Sequence, residues 1–305
     1  MPATRRELLF ASAAACGTVI ANPAFGAAET SFDFVHITDL HIQHELDADK
    51  GVHKALKAAM DLKSKPSFAL IGGDLVMDAS LVPRDTADRL FGMWREAAEG
   101  LQIPLHYSIG NHDLFGLKMA TKTPANIDQF KALWKQRLGL AQTYSHFDHQ
   151  GWRFVTLDSA GVTPDLTWEG ELHEDQIRWL DDLLRATPRT MPLVFLTHYP
   201  IFTACSLYVN GVDEKPGSSL VVKNCRQFRE MIQKHNVKAV LQGHTHIVEE
   251  IEYLGVRYIT GGAVCGEWWK GPRLGLIPEG FMSYSVRGEN LVSRYVTYGW
   301  KAKVD

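Results

Sequence analysis

The sequence has few cysteines and little net charge, and each shortage excludes a class of protein. Only 4 cysteines occur among 305 residues, and no two form a CxxC pair, so a cysteine-based zinc site is not expected. Cys205, Cys225 and Cys265 follow the N-terminal segment; Cys205 and Cys225 could form one disulfide, and the odd count leaves a free thiol. A formal net charge of -3 argues against nucleic-acid binding through bulk positive charge.

The first residues have the composition of an export signal. Arg5 and Arg6 precede an uncharged, alanine-rich stretch, and we assign residues 1–28 to a signal of the twin-arginine type. An uncleaved membrane anchor is the alternative, but the glycines and proline of this stretch weaken it as a transmembrane helix. We therefore expect a bacterial protein that the twin-arginine machinery exports to the periplasm or the medium, with no stable membrane span after cleavage.

Apolar, β-branched runs alternate with helical patterns through residues 29–305, which we assign to one domain. The runs predict buried strands at residues 32–38, 68–73, 105–110, 193–198 and 238–244. Helical spacing predicts helices around residues 51–63, 84–99, 126–138, 173–186 and 224–235. Antiparallel hairpins are predicted at residues 144–158, 248–262 and 281–298. Together these elements predict a mixed α/β fold, with two mixed β-sheets packed together and helices outside.

Polar residues of a shared chemical kind follow the ends of the predicted strands. They are Asp39, His41, Asp74, Asn111, His112, Asp113, His198, His244 and His246. Ligands bind at the carboxyl ends of strands in open α/β sheets, so these loops should line one crevice. Imidazole, carboxylate and amide donors suit borderline divalent metals. Each short motif alone is also typical of an ordinary turn or cap, but five such motifs at strand ends favour a metal site.

The ordered pattern DLH … GGD … GNHD … H … GHTH resembles the calcineurin-like metallophosphoesterase family over almost all of residues 29–305. The resemblance implies a four-layer sandwich of two β-sheets flanked by helices, with a dinuclear metal centre at the carboxyl ends of the strands. Residues 29–305 would then be one metallophosphoesterase catalytic domain. The pattern lacks the tyrosine that the purple acid phosphatase branch needs after its bridging aspartate, and it is closer to the bacterial cyclic-nucleotide phosphodiesterase-like members.

The same resemblance implies a role for each residue of the pattern. Asp39, His41 and His246 would hold one ion. Asn111, His198 and His244 would hold the other, and Asp74 would bridge the two. His112 matches the catalytic histidine of the family, which lies beside the metals without binding them. The ions would be divalent transition metals, with Fe, Mn and Zn as the candidates.

This metal centre predicts hydrolysis of a small-molecule phosphoester. Two ions can lower the pKa of water, and we expect a hydroxide that bridges them to attack phosphorus in line. His112 is the candidate general acid. Asp113 either orients His112 or caps a turn. A phosphodiesterase is our main prediction; a phosphomonoesterase and a non-catalytic metal-binding protein are the alternatives.

The stretch CGEWWKGP, at residues 265–272, supplies candidate substrate contacts. Trp268, Trp269 and Lys270 are adjacent in a predicted loop near the same crevice. An exposed indole beside a lysine can stack against an aromatic group of a phosphoester. The alternative is that both indoles pack beneath the loop as part of the core.

Overall fold

The computed structural model describes residues 30–121 and 127–303. Their strands are β1 Ser31–Ile37, β2 Ala69–Ile71, β3 Leu105–Tyr107, β4 Ser145–His149, β5 Trp152–Thr156, β6 Ala160–Val162, β7 Trp168–Gly170, β8 Leu193–Leu196, β9 Val237–Gln242, β10 Val248–Tyr253, β11 Val256–Gly261, β12 Gly280–Arg287 and β13 Asn290–Thr297. Their α-helices are α1 Ala48–Met60, α2 Arg84–Glu99, α3 Ala132–Leu138, α4 Glu174–Ala186, α5 Cys205–Asn210 and α6 Cys225–Ile232.

The strands form two large mixed sheets and one small one. The first large sheet has the order β13-β12-β1-β2-β3, and the second has the order β10-β11-β9-β8-β5-β4. In the first, the parallel strands β1, β2 and β3 reach one edge and the antiparallel hairpin β12-β13 forms the other. In the second, parallel pairing in the middle is flanked by the antiparallel hairpins β10-β11 and β4-β5. Strands β6 and β7 form a separate ribbon. The fold class expected from the sequence, two mixed sheets flanked by helices, is confirmed.

Aromatic packing between the two large sheets holds them face to face. The Phe34 ring, on β1, lies 5.1 Å from the Phe68 ring and 5.3 Å from the Phe154 ring of the second sheet, between centroids. Stacked and edge-on contacts of this kind add to the free energy gained by burying the rings. Helices α1 to α3 cover the outer face of the first sheet, while α4 and α6 cover that of the second. The layers therefore run helix, sheet, sheet, helix.

Helical periodicity located the long helices well, because each buries one apolar stripe. The predicted helix at residues 84–99 coincides with α2, whose buried side chains are those of Ala87, Leu90, Phe91, Trp94 and Ala97. These residues recur every three or four positions, as one helix face requires. Helix α4 also begins within a residue of its predicted start.

The predicted strands extend too far at their carboxyl ends, where the polar loops begin. Strand β2 ends at Ile71, and Gly73 and Asp74 then have φ angles of 97° and 50°. Such angles cannot continue a strand, although the residues are buried. Buried residues that lack strand geometry at these positions indicate that the loops form a functional site.

Two expectations about the surroundings of the fold have different outcomes. The described cysteines, Cys205, Cys225 and Cys265, are all free, so the Cys205–Cys225 disulfide considered from the sequence is not formed. Within the described ranges, every helix is too short or too polar to cross a membrane. Residues 1–28 lie outside those ranges, so the export signal stays a prediction.

Candidate metal centre

The loops that follow the carboxyl ends of strands in both large sheets bring the seven predicted ligands together. Asp74 Oδ2 lies 3.2 Å from His198 Nε2 and 3.5 Å from His41 Nε2. Asp39 Oδ1 lies 3.2 Å from His246 Nε2. Completing the set, Asn111 Oδ1 lies 3.2 Å from His198 Nε2, and the His244 ring centroid lies 5.2 Å from that of His198.

Five of these seven residues have left-handed backbone conformations. The φ angles are 53° for Asp39, 44° for His41, 50° for Asp74, 70° for His244 and 59° for His246. Non-glycine residues rarely adopt these angles, and clusters of them mark functional sites held by the surrounding structure. Here the loops support one another: His41 N donates to Asp74 O over 3.0 Å, and His244 N donates to Asp39 Oδ1 over 3.1 Å.

Glycines beside the ligands permit this close approach of loops. A Cβ at Gly110 would lie 2.1 Å from Asp74 Oδ1, and one at Gly243 would lie 2.3 Å from Thr38 Oγ1. Both distances are far inside van der Waals contact. A side chain at either position would therefore displace the carboxylates or the loop that carries them.

Backbone carbonyls fix the orientation of three predicted imidazole ligands. His198 Nδ1 donates to Gly72 O over 2.8 Å, His246 Nδ1 to Gly266 O over 2.7 Å, and His244 Nε2 to Ser219 O over 2.9 Å. In each ring the other nitrogen is left for the centre. Metal-ligating histidines are commonly held in this way, since the second hydrogen bond selects the tautomer that presents a lone pair to the metal.

The donor set fits divalent cations. Both ring nitrogens of His41 and Nδ1 of His244 are buried and have no hydrogen-bond partner among the described residues. Unpartnered buried polar atoms are costly, so the clustering of these donor atoms around two carboxylates fits residues that bind a cation. Asp74, His198 and His244 form one group of donor atoms within 4.8 Å of one another, and Asp74 also belongs to a second such group with His41 and His112.

The electrostatics of the centre favour cation binding. Burial alone would raise the pKa of the Asp39 carboxyl, but the facing His246 holds that pKa well below its usual range. Burial would likewise raise the pKa of Asp74, but His198 and His112 lower it. For His198, Asp74 outweighs burial and raises the pKa to about 9. Both carboxylates are therefore ionised at neutral pH, and the proton on His198 is one that a cation would displace.

His112 lies beside the proposed ligands with one ring nitrogen directed elsewhere. Its Nδ1 is 2.8 Å from Met77 O, and its backbone N–H donates to Asp74 Oδ1 over 2.9 Å. The ring lines an open cavity of about 380 Å³ at the centre. This places Nε2 as the atom free to exchange a proton with a bound molecule.

Asp113 does not orient His112, so that predicted catalytic role is wrong. Its carboxylate accepts hydrogen bonds from Gly110 N at 3.0 Å and Leu75 N at 2.9 Å. Burial and the nearby Asp74 raise its pKa to about 7. The alternative considered from the sequence, a carboxylate that braces a turn, describes this residue.

The three predicted substrate contacts have different places. Trp268 is half-buried, and its ring centroid lies 4.3 Å from that of His41 and 5.1 Å from that of His112. Trp269 is wholly buried, and its Nε1 donates to His41 O over 2.9 Å, so it supports the ligand loop. Lys270 is exposed and lies outside the cavity lining. Of the three, only Trp268 lines the cavity. Trp269 packs beneath the loop, which is the alternative considered from the sequence. A substrate contact by Lys270 stays a prediction.

Further residues at the centre, among them Trp168, Tyr199 and Cys265, were missed from the sequence. Trp168 and Tyr199 line the cavity. Cys265 Sγ is 3.6 Å from His246 Nδ1, and burial raises the pKa of its thiol, so it is present as the neutral group. Tyr199 adjoins His198 in sequence, which was a usable signal. Trp168 belongs to a short ribbon far from every motif, and no pattern indicated it.

A cluster of imidazoles and carboxylates at the strand ends of two mixed sheets is the donor set of a metal-binding centre. Residues 32–248 match the calcineurin-like phosphoesterase family, and the chain belongs to that family. It is 24% identical to the 3′,5′-cyclic adenosine monophosphate phosphodiesterase CpdA of Escherichia coli, over 78% of each chain. It is 26% identical to the serine/threonine-protein phosphatase CPPED1 of Danio rerio, over 79% of this chain and 72% of the relative.

Solved structures agree with this membership. A dimetal phosphatase from Danio rerio superposes with a TM-score of 0.64 at 15% identity, covering 88% of this chain and 96% of that one. At that identity the likeness shows the fold. Together with the family match, it confirms the predicted enzyme class: the protein is a metallophosphoesterase that hydrolyses phosphoesters.

Proposed function

We propose that the protein is a phosphodiesterase that works with two divalent metal ions. The observation that carries the dinuclear part is the position of Asp74 Oδ2, which lies between His41 Nε2 at 3.5 Å and His198 Nε2 at 3.2 Å. One carboxylate oxygen between two otherwise separate imidazole groups is the arrangement that two neighbouring ions share. The diesterase part is supported by the cyclic AMP phosphodiesterase to which the chain is similar.

Two sets of residues would hold the ions, with Asp74 common to both. Asp39, His41 and His246 form the first set, in which Asp39 Oδ1 already faces His246 Nε2 at 3.2 Å. The second set consists of Asn111, His198 and His244. The mixture of nitrogen and oxygen donors suits Fe, Mn or Zn.

The residues of the centre would divide the work of hydrolysis. When bound, two divalent ions supply Lewis acidity toward phosphoryl oxygens and lower the pKa of water. Asp39 and Asp74 return only about two of the roughly four positive charges, so the centre attracts an anionic ester even in a slightly acidic protein. As the imidazolium, with its Nδ1–H donated to the Met77 carbonyl, His112 would give its Nε2 proton to the departing alkoxide and become neutral.

The proposal is tested by metal content and ester preference in one preparation. Protein purified without a metal-affinity tag should contain about two ions per chain by elemental analysis. It should hydrolyse bis-p-nitrophenyl phosphate faster than p-nitrophenyl phosphate, and His246→Ala should lose both metal and turnover. Faster hydrolysis of the monoester would make the enzyme a phosphatase. Absence of bound metal, even after addition of manganese or zinc, would refute the dinuclear centre.

We also propose that residues 1–28 direct export through the twin-arginine route. The paired Arg5 and Arg6 ahead of an uncharged stretch support it. Replacing both arginines with lysine should abolish export of active enzyme. Unchanged export of the double variant would contradict the route.

A further inference from the structure

Two half-buried indoles lie on the His112 side of the cavity, and the chemistry described above does not use them. The ring centroid of Trp168 is 4.7 Å from that of His112, and the centroid of Trp268 is 5.1 Å from it. Both side chains line the cavity that also contains Asp74 and Asn111. We call Trp168 and Trp268 the indole pair. They place aromatic surface beside the one residue assigned to protonate the leaving group.

The loop that carries Trp268 is held in a costly conformation. Trp268 and Trp269 have φ angles of 55° and 68°, two consecutive bulky residues in the left-handed region. The buried neighbour anchors the pair, because Trp269 Nε1 donates to His41 O and Trp269 N donates to Cys265 O over 2.8 Å. Backbone strain of this kind persists only where the surroundings enforce it. The result is an indole kept at the cavity rather than folded beneath the loop.

A cation fixes Trp168, the other member of the pair. Lys118 Nζ lies 3.9 Å from the centroid of the Trp168 ring, and the same ammonium is 3.1 Å from Asp78 Oδ2. A lysine over an indole is an attractive arrangement, and the Asp78 contact limits where the lysine can move. Trp168 Nε1 is buried and has no hydrogen-bond partner within the described ranges.

The size and chemistry of this region select a class of ester. A cavity of about 380 Å³ is near the small end of ligand pockets and cannot enclose long acyl chains. Indole surfaces gain most from a flat π-system, since stacking and edge contacts add to simple burial. A planar group is thus better matched to the indole pair than an aliphatic one.

We propose that the indole pair binds a planar aromatic group, an aryl ring or a nucleobase, carried by the ester oxygen that faces His112. This inference rests on the proposed function, because it takes His112 as the residue nearest the leaving group. The pair thereby sets specificity for the alcohol part of the ester, while the metal ligands recognise only its phosphate.

The test compares two phosphate monoesters that differ by a base. AMP and ribose 5-phosphate are measured as inhibitors of bis-p-nitrophenyl phosphate hydrolysis and, independently, by quenching of tryptophan fluorescence in the metal-loaded enzyme. AMP should bind roughly tenfold more tightly than ribose 5-phosphate, as stacking on aromatic side chains predicts. Equal affinity of the two compounds for the wild type would overturn the inference without need of any variant.

Variants of Trp168 test whether this residue produces the tighter binding of AMP. Trp168→Leu should remove most of the AMP advantage and leave the affinity for ribose 5-phosphate and the metal content unchanged, whereas Trp168→Phe should keep much of it. Trp179→Leu is the matched control, since Trp179 is a half-buried indole that contacts Tyr144 and His146 instead. If Trp168→Leu weakened both compounds equally, the indole would be structural and the inference wrong.

Failure of the proposed function would be recognisable separately. A wild-type enzyme that prefers AMP over ribose 5-phosphate by fluorescence, yet does not hydrolyse bis-p-nitrophenyl phosphate, would retain the aromatic site and lose the diesterase assignment. An enzyme that hydrolyses the diester but binds AMP and ribose 5-phosphate equally would keep the diesterase assignment and lose the aromatic site.

Discussion

At the scale of single residues, His112 and three of the predicted metal ligands are held in the same way, each by a backbone carbonyl. Of the three imidazoles held by backbone carbonyls, His198 presents Nε2 to Asp74 and His246 presents Nε2 to Asp39, each over 3.2 Å. His112 also uses a carbonyl, that of Met77, but its ring faces the cavity. A similar way of holding the ring would thus serve metal binding in one case and, as proposed, proton transfer in the other.

Replacing His112 should therefore slow hydrolysis without removing metal. His112→Ala should lower kcat by about 10²- to 10⁴-fold, the usual contribution of general acid catalysis. The loss should be larger for alkyl leaving groups than for p-nitrophenolate, which needs little protonation. Elemental analysis and a series of esters check this, with the exposed His53→Ala as control. An equal loss for all leaving groups would remove His112 from the proton-transfer step.

Gly110 provides a second test at this scale. In Gly110→Ala the new Cβ would fall 2.1 Å from Asp74 Oδ1 and 2.2 Å from Asp74 N, so the bridging carboxylate must move. We expect lost metal binding and a decrease in the free energy of unfolding of a few kcal/mol, as for other overpacked sites. Gly92→Ala is the contrast, because its Cβ would meet nothing within 4 Å on helix α2. That variant should gain about 0.5–1 kcal/mol in urea unfolding. Intact metal binding in Gly110→Ala would show that the loop can yield.

At the scale of elements, a buried ion pair joins the helical layer to the second sheet. Lys131, which precedes α3, lies 2.6 Å through Nζ from Asp158 Oδ2, just beyond β5, and both side chains are almost fully buried. Breaking such a pair leaves an uncompensated charge and costs about 3–5 kcal/mol.

Lys131→Met should accordingly destabilise the protein by that amount, and Lys131→Met combined with Asp158→Asn should recover part of the loss. Urea unfolding of the single and double variants measures the coupling. Lys57→Met, which breaks the exposed Lys57–Asp61 pair on α1, should change stability little. Additive effects at Lys131 and Asp158 would mean that the pair is not energetically coupled.

Elements were predictable from the sequence to the extent that burial pattern determines them. Helix α2 and the three hairpins follow from apolar spacing and from turn residues, and the structure has them where expected. The loops that carry the predicted metal ligands were located because they follow the apolar strands β1, β2, β3, β8 and β9. Asp113 and Trp269 were misassigned because residue type does not reveal which way a side chain points or which backbone group it forms a hydrogen bond with. Trp168 was missed because only tertiary contacts bring its ribbon to the centre.

At the scale of the whole molecule, the edges of the two sheets meet through a histidine that must stay neutral. His106, on β3, stacks on Phe147 of β4 with 3.4 Å between ring centroids. Burial, with a smaller effect of His149, lowers the pKa of His106 from 6.5 to about 4. The unfolded chain therefore binds a proton at a higher pH than the folded one.

The free energy of unfolding should decrease as the pH is lowered from one of those two pKa values to the other. Between about pH 6.5 and pH 4 the unfolded state binds more protons at this position, so the free energy of unfolding decreases as the solution is acidified. His106→Phe keeps the stacking and removes the proton site. Between pH 7 and pH 4.5 its free energy of unfolding should therefore decrease by about 1–2 kcal/mol less than that of the wild type. That figure allows for the partial exposure of the ring. Parallel pH curves for both proteins would contradict the assignment.

The pairing of β1 with β12 has a consequence for the order of events during synthesis. Ser31 lies opposite Arg287 in that ladder, and β12 in turn pairs with β13, so the first sheet is complete only once residue 297 has left the ribosome. Asp39 follows β1 directly, and its carboxylate accepts the backbone N–H of His244 from far along the chain. A nascent chain stopped before β12 lacks one of the two partners of its first strand, although β2 is already present, and such non-local pairings form slowly. The proposed ions should therefore bind late in biogenesis, and truncated translation products should be inactive even when they contain most of the predicted ligand residues.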